Sequence, residues 1–558
     1  MSKAKKAAPA GPVTLRWTLD ELPSAQHRAG LAGLCLMVPF LHRRPGWEGT
    51  CALEVEPTAA TLTVDLPGLT ALLDEVYAAS AEEEAVEKPY LDAKKEVKPP
   101  LRTEERTVLK NGKEKVVTLY VYPKVVPGGG PLVECEPEAP ADPEGKGKAS
   151  ALHGRVWIKL WRDMIWTIYR GVPATRLVFA ARAEGGHSGM EEDLFKALRQ
   201  VDAVAEQTSS LMLGAQATTA DGVPFGDLAR TQLLLHFTPF ATAIYVPQVV
   251  AWDRKEKRLS ADKDGFALAF PEVADLTRFC AAWPRVLKQR SGEVAGYLPR
   301  QALIDVPAEA GLDPMVRLEA AVAADRGDAS ARAVAAYDVV HTRKDGNNVR
   351  VLGLTRVEPA RALLDEWARL RGAHKSPLIR QQRLINLMAE RPRWSGFDRL
   401  VATTSVDLFI PRSQGDRPPY DAWNVQHDLR AAFTEAKESS PMPEATDPVP
   451  GLVLRVVSTY INHKLGAKYE LTWSTVKDAQ NDDPGRRDYQ EKREKVGRDA
   501  FLAVRSRTGA DFTDYFVSTL CSAPQRLKEE DFLTLSRALT SDTDTVRTLT
   551  LLALSARS

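Results

Sequence analysis

The hydrophobic pattern beyond residue 376 is helical almost to the end of the chain, and this pattern constrains the fold more than any other feature. Ser376 and Pro377 fit a helix N-cap and a first helical position. The i, i+3, i+4, i+7, i+8 spacing of one helix face is followed by Val453, Val456, Val457, Tyr460 and Ile461. Further helices are predicted at 489–505, 511–521, 532–539 and 546–554. Residues 376–558 are therefore predicted to form an all-α helical bundle.

The preceding 375 residues mix strand and helix signals. In the N-terminal α/β start, 1–80, an alternating strand over 13–19 precedes a helix that begins near Ser24, in which Gly30 and Gly33 leave room for close packing. A strand-rich stretch follows at 51–66. In 151–375, the remainder of this body, we predict helices at 152–169 and 271–287 and a hairpin of 335–341 with 349–357. The fold class is α+β, a mixed α/β body followed by the bundle.

Residues 81–150 form a segment of different composition, rich in Glu, Lys, Pro and Gly. Such a segment buries little apolar surface, so we expect a flexible, solvated insertion. Within it, Asn111-Gly112 lies between two β-type runs and predicts one tight hairpin between mobile arms.

The balance of charge excludes a strong overall attraction to nucleic acid. The chain has 75 Lys and Arg against 74 Asp and Glu, a formal net charge of +1. Contacts with nucleic acid must therefore come from local patches. The sequence begins without the apolar core of a secretory signal and contains no run of about 18 apolar residues, so we expect a cytoplasmic protein with no membrane contact.

Motifs for catalysis, cofactors and metals are missing. The five cysteines are far apart and form no Cys-x-x-Cys pair, so no zinc or other metal site is predicted. Neither glycine-rich stretch, 128–130 or 185–189, continues into the Lys-Ser/Thr of a phosphate-binding loop. The dipeptide His427-Asp428 is similar to the His-Asp pair of metal-dependent HD nucleases, but those enzymes need several further His and Asp ligands to form a metal site. We expect no catalytic residues, no cofactor and no enzyme activity.

Basic residues are concentrated between 369 and 393, where seven face a single acid, Glu390, for a local charge of +6. Such a density can neutralise several phosphates. The alternative is an exposed helix face without a partner. The candidates for contacts with a nucleic-acid backbone are Arg369, Arg371, Lys375, Arg380, Arg383, Arg391 and Arg393.

Three stretches resemble the Cas-eight family, the large subunit of type I-B CRISPR Cascade surveillance complexes. They are LPSAQHRAGLAGL at 22–34, WRDM at 161–164 with RGVP at 170–173, and DAFLAVRS at 499–506 with LLALS at 551–555. The resemblance implies a non-catalytic subunit of an antiviral ribonucleoprotein that binds RNA and DNA. It would hold the 5′ handle of the guide CRISPR RNA, recognise the protospacer-adjacent motif (PAM) in duplex DNA and stabilise the R-loop.

The resemblance also implies partners: guide RNA, target double-stranded DNA, the backbone and small subunits of Cascade, and a transient helicase-nuclease. The bundle at 376–558 resembles the small subunit. Candidates for the guide-RNA handle are Arg155, Lys159, Arg162 and Arg170. Candidates for inspecting the DNA motif are Arg254, Lys255, Lys257, Arg258, Arg343, Lys344, Asn347 and Asn348. The alternatives are a stand-alone nucleic-acid-binding regulatory protein and an unrecognised nuclease.

Overall fold

The structure is a computed structural model of the 558-residue chain. It describes residues 11–91, 95–110, 113–135, 156–169, 173–206, 211–215, 225–253, 258–288, 294–295, 298–299, 302–326, 332–346, 348–374, 377–404, 427–431, 448–478, 483–523 and 527–557. These residues group into two compact units. The first contains 1–247 and 264–359, and the second contains 248–263 and 360–558.

The first unit is a mixed α/β body, as predicted. Its helices are α1 (Ala25–His42), α2 (Leu66–Val76), α3 (Val156–Thr167), α4 (Pro173–Ala183), α5 (Glu191–Leu198), α6 (Ala229–Leu235), α7 (Thr238–Ala241), α8 (Leu276–Lys288) and α9 (Glu309–Arg326). The strands of the described chain are β1 (Val13–Thr18), β2 (Cys51–Val55), β3 (Ala59–Val64), β4 (Ala79–Val86), β5 (Arg102–Lys110), β6 (Lys113–Pro127), β7 (Val204–Glu206), β8 (Gly226–Leu228), β9 (Ala243–Asp253), β10 (Arg258–Lys263), β11 (Phe266–Val273), β12 (Val294–Ala295), β13 (Leu298–Pro299), β14 (Leu303–Ile304), β15 (Val334–Asp345) and β16 (Asn348–Val357).

The strands of the first unit form several separate sheets. Two are three-stranded, in the orders β1-β3-β2 and β4-β6-β5, and the largest runs β9-β11-β15-β16 with β14 parallel to the start of β9. The hairpin predicted around residue 345 is present as β15 and β16, which pair from Tyr337↔Val357 to Asp345↔Asn348. The small pairs β7-β8 and β12-β13 complete the sheets in the described part of this unit.

Helix α1 lies at the centre of the first unit and is buried on nearly all faces. Its predicted N-cap is confirmed, because the Ser24 side chain accepts a hydrogen bond from the His27 backbone N–H. A Cβ at Gly30 would lie 2.3 Å from the Leu234 carbonyl oxygen, and one at Gly33 would lie 2.1 Å from that of Phe237. The predicted role of these glycines in close packing is therefore confirmed, since only glycine lets the α6–α7 backbone approach so closely.

Two of the tryptophans on α3 pack in the core of the first unit. Trp157 and Trp161 are 1% and 0% exposed, and the Trp161 indole N–H donates to the Pro239 carbonyl at 3.2 Å. Burying an indole requires such a partner for its polar atom. These rings are therefore not available for stacking with RNA bases.

The helix predicted over 271–287 begins later, at Leu276, and Pro271 lies in strand β11. The prediction of its start was wrong because the run before it is apolar at almost every position, which gives no period from which to tell strand from helix. Proline is tolerated here since β9 pairs only with 267–269 of β11, so β11 is an edge strand at Pro271.

The segment 81–150 contains the predicted hairpin as β5 and β6. The acidic stretch before it is not an arm, as we expected, but a third strand, β4, that pairs along β6. Its carboxylates pair with cations of the same sheet. Glu84 lies 2.5 Å from Lys124 of the adjacent strand β6, and Glu83 lies 2.6 Å from Arg102 of β5, on the far side of β6. These cross-strand pairs offset the low strand propensity of glutamate.

The second unit contains a helical bundle, as predicted, formed by α10 (Arg361–Ala373), α11 (Pro377–Met388), α12 (Phe397–Thr403), α13 (Val449–Tyr469), α14 (Trp473–Val476), α15 (Pro484–Arg505), α16 (Gly509–Ser518), α17 (Glu529–Ser541) and α18 (Thr543–Arg557). The stripe predicted from Val453 to Ile461 is buried on α13 and packs in one core with residues of α15, α16 and α18. The second half of β9 also belongs to this unit and pairs with β10 as a hairpin.

Candidate nucleic-acid interface

Arg28, which lies in the motif at 22–34, connects α1 to the base of the β15–β16 hairpin, the end opposite its turn. Arg28 of α1 forms an ion pair with Glu272 of β11, and the same carboxylate pairs with Arg356 of β16. The hydrogen bond to Glu272 raises the pKa of Arg356 above its ordinary value. One buried helix thus anchors one end of the hairpin, which leaves its other end as the exposed tip.

The tip of the hairpin concentrates positive charge. Arg343 and Arg350 lie opposite each other in the strand register and are 50% and 66% exposed. Like charges in this arrangement repel. Each is held by an acid, since Arg343 pairs with Asp264 at 2.8 Å and Arg350 with Asp345 at 3.0 Å.

A glycine sets the position of Asp264. Gly265 has φ +69° and a Cβ there would lie 2.0 Å from the Thr342 carbonyl oxygen, so the β10–β11 turn packs directly on β15. This turn brings the Asp264 carboxylate beside Arg343. Of the other predicted residues at the tip, Lys344 and Asn348 are exposed, whereas Asn347 lies outside the described residues.

Sequence reasoning missed Arg350, which shares the tip with the predicted residues. Its position two residues after Asn348 in the predicted second strand was a usable signal. The second candidate segment for inspecting the DNA motif is 254–258. Most of it lies outside the described residues, namely Arg254, Lys255 and Lys257. Arg258 begins β10, and its backbone pairs with Asp253.

The basic run of 369–393 is not one uniform surface. Helices α10 and α11 pack together around Glu366, whose carboxylate lies 3.3 Å from Arg393 and 3.9 Å from both Arg369 and Arg383. Arg383 is 1% exposed and donates to the Arg393 carbonyl at 2.8 Å. It therefore stabilises the packing of α11 and does not present its charge to solvent.

The remaining members of the run differ in exposure. Arg371 lies 5.5 Å from the centre of the Trp367 ring, and Arg380 donates to the His374 carbonyl at 3.2 Å. Arg369 and Arg391 are exposed, and Lys375 lies outside the described residues. Next to this surface is a cavity of about 460 Å³, lined by Glu366, Arg383, Leu387, Arg391 and Arg393 among others. The exposed arginines are the ones that can reach a phosphate.

The guide-handle candidates lie around α3. Lys159 is 48% exposed and pairs with Asp163 one turn later at 3.0 Å. Arg162 donates to the Pro127 carbonyl at 2.8 Å and so joins α3 to the end of β6. Arg155 and Arg170 fall outside the described residues.

One arrangement has the composition of a hydrolase triad. Ser24 Oγ lies 2.8 Å from His27 Nδ1, and His27 Nε2 lies 2.9 Å from Asp227 Oδ2. Burial acts to raise the pKa of Asp227, but hydrogen bonds led by that from His27 lower it below its ordinary value. His27 is 1% exposed and Ser24 caps α1, so these groups hold the helix start in place.

The described residues contain no cluster of His, Cys, Asp or Glu suited to a metal ion. Asp428 is 0% exposed beside a half-exposed His427. Among the described helices, none is long and apolar enough to cross a membrane.

Comparison with family models assigns the chain. The type I-B CRISPR Cas8b N-terminal domain matches residues 51–328, and the type I-B CRISPR Cas8b C-terminal domain matches residues 334–557. The chain belongs to the type I-B Cas8b family. It is therefore a large subunit of a type I-B Cascade, as the sequence resemblance implied. No curated protein matches the chain.

Membership in the Cas8b family places the candidate surfaces in context. Large subunits of this family are generally non-catalytic components of a complex that contains guide RNA and engages DNA. The C-terminal Cas8b domain begins at residue 334 and so includes β15 and β16, although these strands pair in the sheet of the first unit. The family boundary therefore precedes the boundary between the compact units.

Proposed function

We propose that this Cas8b chain inspects the PAM of duplex DNA within its Cascade, contributes to holding the guide-RNA 5′ handle and stabilises the opened strands for a separate helicase-nuclease. The observation that carries the proposal is the β15–β16 tip, where Arg343 and Arg350 are exposed side by side. A two-stranded ribbon fits the major groove of DNA, where guanidinium groups can donate to guanine. Base pairing with the guide would supply the rest of the specificity.

The handle and strand-stabilising roles are supported by exposed charge in each unit. Lys159 is accessible on α3 of the first unit, and Arg369 and Arg391 are accessible in the second. Contacts from such residues position a nucleic-acid backbone without reading its sequence. The near-zero net charge favours work inside an assembly over tight binding by the isolated chain.

The proposal is tested by leaving this chain out of a reconstituted complex. Without it, the complex should lose its preference among target duplexes that differ only beside the guide-matched sequence. Single-stranded targets should still bind, because they need neither motif inspection nor duplex opening. Affinities from gel shifts measure both. If the complex without this chain keeps its preference among flanking sequences, the proposal is contradicted. If the isolated chain binds DNA as tightly as the whole complex does, the stand-alone alternative is favoured.

The exposed arginines beside α10 and α11 should contact backbone phosphates. Replacing Arg369 and Arg391 with alanine is expected to weaken target binding by the same factor for every target sequence. The slope of log affinity against log salt should flatten by roughly 0.7–0.9 for each phosphate that the variant no longer neutralises. Salt titrations of the assembled complex measure this slope.

The matched control replaces two exposed arginines elsewhere in the same unit, Arg498 and Arg537, and so removes the same charge. That variant should retain the wild-type slope. An effect of the Arg369 and Arg391 substitutions that depends on target sequence, or an equal effect of the control pair, would argue against a phosphate site at this surface.

A further inference from the structure

A surface of aromatic rings and cations lies on the second unit, formed by Tyr469, Trp473 and Tyr489 with Lys468, Arg486 and Lys492. Trp473 is 51% exposed, and its ring centre lies 5.8 Å from that of Tyr489, which is buried. An exposed tryptophan alone indicates little, because much of any protein surface is apolar. Its setting makes this ring different.

Cations surround the rings of this surface. The Arg486 guanidinium lies 5.6 Å from the centre of the Trp473 ring. The Lys468 and Lys492 ammonium groups lie 5.5 and 5.9 Å from the centre of the Tyr469 ring. Lys492 also lies 3.4 Å from Asp488 and 3.6 Å from Glu491, so part of its charge is neutralised.

The local backbone holds this surface in place. Helix α13 ends at Tyr469, and its C-cap Glu470 has a left-handed conformation, φ +54°. The chain turns there, and Trp473 then begins α14. Asp483 caps α15 by accepting hydrogen bonds from the backbone N–H groups of Gly485 and Arg486. The cap fixes Arg486 in the first turn of α15, beside the tryptophan.

We propose that Trp473 stacks on an unpaired base of single-stranded DNA while Arg486 and the neighbouring lysines attract the flanking phosphates. Stacking platforms flanked by cations are the general means by which proteins hold single strands without reading sequence. Every base has a π face, so this contact tolerates any displaced strand. The inference rests on the proposed function, since strand opening supplies the unpaired bases.

The test compares two probes of equal length, a thymine oligonucleotide and an abasic one that has the phosphates but no bases. The wild-type full-length chain should bind the thymine probe more tightly. Trp473→Ala should weaken binding of the thymine probe about tenfold and leave the abasic probe unchanged. Trp473→Phe should retain most of the preference, because it keeps an aromatic face. Fluorescence anisotropy of labelled probes gives the affinities.

The control is Phe532→Ala on α17, an aromatic residue of the same unit that is 59% exposed and lies outside this surface. It should change neither affinity. Equal binding of the two probes by the wild-type chain, or an undiminished preference in Trp473→Ala, overturns the proposal. If Trp473→Ala blocks assembly of the complex but the variant chain still binds the thymine probe more tightly than the abasic one, the surface is a subunit interface. The proposal is then also overturned.

A separate measurement distinguishes this proposal from the proposed function. The complex reconstituted with Trp473→Ala should keep its preference among sequences beside the guide-matched target. If stacking fails while wild-type complex shows that preference, only the stacking proposal is lost. If stacking is observed but omission of the chain leaves that preference unchanged, the proposed function is refuted.

Discussion

Replacement of Arg547 with alanine is expected to destabilise the helical bundle by about 3–5 kcal/mol, the usual cost of breaking a buried ion pair. Arg547 on α18 is 1% exposed and donates to Asp398 Oδ2 of α12 at 2.7 Å. It also donates to the Arg505 carbonyl at 3.0 Å, and the Arg505 side chain donates to the carbonyls of Val401 and Thr404. Alanine would leave the Asp398 carboxylate without its cation and would remove the hydrogen bond from α18 to the last residue of α15.

Hydrogen exchange of the full-length chain measures this effect. Because the chain has two compact units, a single unfolding curve would mix them, whereas exchange reports each helix separately. Peptides from α12, α15 and α18 should lose protection in Arg547→Ala. The double variant Arg547→Met with Asp398→Leu should recover much of it, since it removes both charges and restores apolar volume. Wild-type protection in the single variant would show that the pair contributes little.

Helices of both units could be predicted because their signal is local. The Val453 to Ile461 stripe follows the helical period for two turns, and the Ser24 cap lies within three residues of the N–H it bonds. The pair of Asp398 and Arg547 could not be predicted in this way. Its members are 149 residues apart, and nothing near either one indicates the other. Contacts of this kind follow from the tertiary fold.

The candidate site shows the same division between local and tertiary information. A count of charges found the run of 369–393, but it could not show that Arg383 is buried while Arg391 is exposed. Burial depends on how α10 packs on α11. The surface around Trp473 was missed for a related reason, because Trp473 and Arg486 lie on different helices and come together only in the folded unit. Composition within a window does not encode such proximity.

Removing the charge at the β15–β16 tip is expected to impair motif reading. Arg343→Ala with Lys344→Ala should weaken binding of the assembled complex to its preferred duplex by about 10–100-fold, because each bidentate contact to a base contributes about 1–3 kcal/mol. A duplex with a non-preferred flanking sequence should be affected much less, since it makes only phosphate contacts there. Both residues are exposed, so the thermal stability of the chain should change little.

The conservative variant Arg343→Lys separates base reading from simple attraction. Lysine keeps the positive charge beside Asp264 but lacks the planar fork that donates two hydrogen bonds to guanine. It should therefore preserve binding to non-preferred duplexes while still losing discrimination, which gel shifts over a panel of flanking sequences would reveal. Equal weakening on all flanking sequences would make the tip a phosphate contact. No change in either variant would exclude Arg343 and Lys344 as readers of the motif, and the same measurement on Arg350→Ala would then decide whether the hairpin takes part at all.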